Sequence, residues 1–201
     1  KCEINYRKLE NNGCLYNVSV LESNIPNELL FTKEQIFKMV VNEIKKINNN
    51  FEYDHYVVPI NNNPYELYIN FKFKEGKLGD KLRKINDKFN YDYIQFKLFI
   101  NNKLYPFYPF KLEYCRPKID MQLLFSFMNI ELLETKNWNP TVSLEWFINK
   151  LSDKLEEFMY SHIDVDSEYN KESIAFSKLE YSLIELSSIT KFNAYEKIKL
   201  D

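Results

Sequence analysis

Three cysteines and two histidines are the residues of this chain whose types most readily do nucleophilic or metal chemistry: Cys2, Cys14 and Cys115, His55 and His162. Cys115 is the one set among cations, with Arg116 and Lys118 beside it. A thiol needs such an electropositive, partly exposed setting and a nearby base to react. A cysteine at a strand end is more often a small buried apolar residue, and that is the expectation for Cys115. The histidines are far apart and lack the Asp, Glu or Cys spacing of a zinc site, so no metal is expected. Glu156-Glu157 and the Asp164-Val165-Asp166-Ser167-Glu168 run could imitate a carboxylate dyad or a cation loop. The run lacks the glycine and closing glutamate of a calcium loop, which makes it a solvated connector. No phosphate-binding glycine loop and no GxSxG elbow occurs, and no cofactor is expected.

The elements that must position these residues follow from periodicity. Thr32 and Gln35 have capping-box spacing, and Ile36, Phe37, Val40, Val41, Ile44 and Ile47 follow a helical period, so a helix is expected from Thr32 to about Asn50. Strands are expected at about 55–60, 66–74, 92–101 and 108–115, with Asn61-Asn62-Asn63-Pro64 as the first turn. Short connections make the sheet an antiparallel meander. Residues 75–90 form a charged insert with room for one short helix. Amphipathic helices are expected at Ser143 to about Met159 and Lys171 to about Thr190, and residues 14–21 alternate like a strand.

The chain has 201 residues, 45% of them hydrophobic, enough for one well-buried core. Its net charge of −2 recruits neither nucleic acid nor an acidic membrane, and the basic stretch Lys77 to Lys88 is interrupted by Asp80 and Asp87. No apolar run reaches the about 18 residues of a membrane span. An odd, scattered set of cysteines is no disulfide framework and suits a reducing compartment, cytoplasm or nucleus. The start at Lys1 suggests part of a larger chain.

One constellation stands apart. Phe96 to Tyr114 reads FKLFINNKLYPFYPFKLEY, with a Tyr105-Pro106-Phe107 turn and Pro109 after it; Trp138-Asn139-Pro140 then leads into a helix. The interval from Tyr105 to Trp138 is 138 − 105 = 33 residues. In this order and spacing the chain resembles the ubiquitin-conjugating enzymes (E2) from about Thr32 to Thr190. The resemblance implies an α+β, UBC-like fold: an N-terminal helix, a four-stranded antiparallel meander and C-terminal helices. It divides the chain into an N-terminal extension, residues 1–30, and a UBC-like domain, residues 31–201.

In that family a cysteine between the two turns carries ubiquitin as a thioester. Laid down ungapped, its position falls on Ile130; matched by hydrophobic rhythm, it falls on Asn129. Neither side chain forms a thioester. The family's His-Pro-Asn motif is replaced by Asp120-Met121-Gln122. The expectation is therefore a pseudoenzyme of the ubiquitin-E2-variant kind, a non-catalytic protein-interaction module in a ubiquitin-related pathway. Its partner would be ubiquitin, an active E2, an E3 ligase or a neighbouring subunit. Two alternatives stand beside it: an RWD-type scaffold domain of a multi-subunit complex, and an active or engineered E2 with an altered nucleophile. The resemblance also implies a partner-binding patch of Phe107, Asn139, Pro140 and Thr141, where an apolar side chain on a Pro-flanked turn has little entropy left to lose. Packing of Phe107 on Phe110 or Tyr105 is the alternative for that ring.

Overall fold

The computed structural model describes residues 31–50, 53–171 and 200. The expected strand at 14–21, the extension 1–30 and the last expected helix lie outside them. Helix α1 spans Lys33–Asn48, and its capping box is formed as the spacing predicts: Gln35 N–H donates to Thr32 Oγ1 at 3.2 Å and Thr32 N–H to Gln35 Oε1 at 2.7 Å. Ile36, Val40, Ile44 and Ile47 are buried. Phe37, expected on the same apolar face, is instead 47% exposed, because adjacent residues of a helix stand about 100° apart and Ile36 takes the inward place.

The sheet has the order β1-β2-β3-β4, all antiparallel: β1 (His55–Ile60), β2 (Asn63–Phe71), β3 (Ile94–Phe99) and β4 (Lys111–Arg116). The first turn is tighter than expected. Only Asn61 and Asn62 leave the ladder, at φ 51° and 59°, the left-handed region that a two-residue hairpin requires and asparagine tolerates. Asn63, expected in the turn, already pairs with Ile60. Leu67, Ile69, Phe71, Phe96 and Leu98 make the inner face of the sheet.

The insert is a full helix, α2 (Gly76–Phe89), which buries Leu78, Leu82 and Ile85. Gly79 lies against the chain that leaves β2, where an added Cβ would sit 2.8 Å from the Phe73 carbonyl oxygen. Asn90 ends α2 in the left-handed conformation. Between β4 and the Trp138 turn runs α3 (Met121–Met128), capped by the Asp120 carboxylate, which accepts from Leu123 N–H at 2.9 Å. Phe127 on α3 lies flat on Tyr114 and edge-on to Phe96, at 5.5 and 5.0 Å between ring centres. Helix α4 (Leu144–His162) starts at Ser143 as expected, runs past Met159, and turns Phe147, Ile148, Leu151 and Leu155 into the core. No helix among the described residues is long and apolar enough to cross a membrane.

Candidate docking site at two joined turns

The site is built around the loop between β3 and β4. Asn101 Oδ1 accepts from the amides of Lys103 and Leu104, which folds the chain back toward Tyr105. Tyr105 is buried and stacked on Phe110 at 5.8 Å, so its ring is the staple of this turn. Its hydroxyl donates to Glu43 Oε1 on α1, and the other Glu43 oxygen accepts from the amide of Leu144, the first residue of α4. One carboxylate thus joins α1, the first turn and the start of α4. Burial, with the neighbouring Glu43 charge, raises the Tyr105 hydroxyl's pKa above its ordinary value, so the phenol stays a donor.

The second turn is tied to the first by Trp138, whose indole N–H donates to the Pro106 carbonyl at 2.7 Å. Its ring meets Phe110 edge-on at 5.1 Å. Asn139 Oδ1 accepts from both the amide and the hydroxyl of Thr141, at 3.0 and 2.9 Å, which fixes the corner around Pro140. Asn139, Pro140 and Thr141 are all exposed. Phe107, next to Pro106, is 38% exposed and is not the ring that staples the turn onto Phe110; Tyr105 takes that place. Phe107 stacks instead on Phe31, at 5.9 Å and 12° between planes, a contact that nothing in the local pattern announced.

The two positions matched to the family's cysteine have opposite surroundings. Asn129 is exposed at the C-terminal cap of α3, and Ile130 is 2% exposed, within the core. Cys115 is buried, and burial, helped by the charge of Glu113, pushes its thiol up to about 12. Arg116 lies over the Tyr91 ring at 4.8 Å, and its opposing effect is the smaller one. The Asp164–Glu168 connector is engaged in the fold: Asp166 pairs with Lys88, whose hydrogen bond holds its carboxyl below the usual range. Among the described residues no group of three or more His, Cys, Asp or Glu side chains could hold a metal ion.

No family model matches the chain. A probable ubiquitin-conjugating enzyme E2 of Acanthamoeba polyphaga mimivirus is 30% identical over 165 residues, 80% of this chain. The chain has the UBC-like fold. It spans 11% of the length of that curated relative. The helix, four-stranded antiparallel sheet and following helices of this UBC-like domain are the arrangement that the resemblance implied. The expectation of a pseudoenzyme is corrected: the relative is named as an enzyme, and no finding shows a loss of activity in this chain. That expectation rested on a register through Asn129 and Ile130 and on Asp120-Met121-Gln122 in place of the His-Pro-Asn motif, which speak for those positions and not for the whole protein. Two of the three cysteines, Cys2 and Cys14, lie outside the described residues.

Proposed function

We propose that this UBC-like domain works in ubiquitin conjugation by docking a protein partner, a RING-type ligase or related subunit, on Phe107 and the Asn139-Pro140-Thr141 turn. The Trp138 to Pro106 hydrogen bond carries this reading, because it holds two exposed turns as one surface before any partner arrives. Binding to a pre-held surface avoids most of the ordering cost of a loop. The Phe107 ring, already stacked on Phe31, offers apolar area in a fixed orientation. The bonded Trp138 turn also favours an E2-type module over an RWD-type scaffold, which the resemblance describes as lacking a Trp-x-Pro turn. The docking role is the same for a domain that carries ubiquitin and for one that presents it. Titration of the chain with a panel of ligase RING domains, followed by calorimetry, tests the reading. Phe107→Ala should weaken a binding pair about tenfold or more, the loss of an interface anchor worth ~1.4 kcal/mol or above. Equal affinities for both forms would refute it.

A further inference from the structure

A second surface lies on α2, at the far end of α4 from the two turns. Along the sequence its lysines are interrupted by Asp80 and Asp87. Wound into a helix, they are sorted by side. Adjacent residues stand about 100° apart, so Lys77, Lys81, Lys84 and Lys88 share an arc of about 60°. Asp80 and Asp87 stand about 70–90° round from the centre of that arc. Asp80 is paired there with Arg83.

Two observations set this flank apart from an ordinary solvated row of lysines. The first is that its cations are gathered and held. Lys77 and Lys81 both lie over one ring, that of Tyr160 on α4, at 5.5 and 4.8 Å from its centre. Lys81 is fixed there by donating to the Ile163 carbonyl at 2.9 Å. Two ammonium groups over one ring repel each other, yet Lys77, Lys81 and Lys84 have no ion-pair partner among the described residues. Burial lowers the pKa of Lys81; the charge of Asp164 opposes that shift and the charge of Lys84 adds to it. Asp164 is turned to its own loop, where its Oδ1 accepts from the Asp166 amide at 3.1 Å. The second observation is at the end of the row, where the Asp166 carboxylate, from the connector after α4, pairs with Lys88. The fold thus seats one of its own carboxylates on the row and leaves three cations beside it.

We propose that the lysine flank of α2 docks an acidic, extended segment of a protein partner, whose carboxylates meet Lys77, Lys81 and Lys84 in continuation of Asp166 on Lys88. Side chains on one side of an extended peptide recur every ~6.6–6.8 Å. Successive lysines of the row rise by about 4.5–6 Å along the helix, a difference that their long, flexible stems absorb. Tyr160, 40% exposed, offers an aromatic surface to an apolar residue between the acids. Nucleic acid fits less well. The row is about 16 Å long, room for only a few phosphates, and a chain with a net charge of −2 draws in no polyanion. This surface does not rest on the docking proposed for Phe107.

An acetylated peptide of alternating glutamate and leucine, its glutamine-for-glutamate counterpart and a single-stranded oligothymidine, each titrated into the chain under NMR at low ionic strength, form the test. The glutamate peptide should shift the amides of Lys77, Lys81 and Lys84 and the ring of Tyr160, and the glutamine peptide should leave them in place. Lys77→Gln combined with Lys84→Gln, both at exposed positions, should weaken the glutamate peptide about tenfold. Lys33→Gln combined with Lys45→Gln takes the same charge from exposed positions of α1 and should change the affinity less than about twofold. Equal losses from the two pairs, equal shifts with the glutamine peptide, or no shift at the four named residues would overturn the proposal. Oligothymidine binding about tenfold tighter than the glutamate peptide, at the same signals, would overturn the protein source and assign the flank to nucleic acid.

Discussion

Replacing Trp138 by phenylalanine removes the indole N–H that joins the turns while keeping an aromatic ring beside Phe110. The lost hydrogen bond is between neutral groups and contributes about 1 kcal/mol net. Trp138 is half-buried, and the smaller ring gives up part of its packing, for roughly 0.5–1 kcal/mol more. The expected loss is about 1.5–2 kcal/mol. For a domain of this size that lowers Tm by roughly 3–8 °C, at 2–4 °C per kcal/mol. Urea denaturation read by the fluorescence of the remaining Trp146 gives the free energy, and amide exchange at Phe107 and Thr141 should accelerate in the variant. A stability change under about 0.3 kcal/mol, or unchanged exchange at both turns, would refute the claim that this bond holds them together.

Gly79→Ala should destabilise by about 1–3 kcal/mol in urea denaturation, although alanine is the better helix former. Its Cβ would meet the backbone of Phe73 and Lys74 at 2.8 and 2.9 Å, which is overpacking against atoms that cannot rotate away; a neutral or stabilising result would contradict the close approach of α2 to the Phe73–Lys74 backbone. Because burial lowers the pKa of His55, the unfolded chain binds a proton first as pH falls below about 6.5, so stability should drop from there through the folded value. His55→Phe should flatten that fall between pH 7.5 and 5.5, and identical pH slopes for the two proteins would contradict it. Cys115, its thiol pushed up to about 12, should label with a thiol reagent at pH 8 only under denaturing conditions, and rapid labelling at residue 115 in the native chain would contradict its burial.

What the sequence revealed depended on how local the cause was. The α1 cap was readable because Thr32 and Gln35 satisfy each other three residues apart. Phe37 was misplaced because a run of two apolar residues does not say which faces the core, and packing against the sheet chose Ile36. Helix α3 went unread because Met121–Met128 is apolar nearly all round and shows no one-sided period. The two turns of the site were legible through proline and tryptophan, whose conformational and packing demands are local. Their partners were not: Glu43 meets Tyr105 across 62 positions and Leu144 across 101, separations that only the closed fold brings together. The setting of the α2 lysines was equally hidden, since the Tyr160 ring that Lys77 and Lys81 share comes from α4.

The most direct test of a joined docking surface is an NMR titration of the chain with a RING domain that binds it. The account predicts that the amides of Phe107 and Thr141 and the indole N–H of Trp138 shift together along one binding curve. Shifts confined to the sheet or to α2, with all three of those signals unmoved, would contradict it.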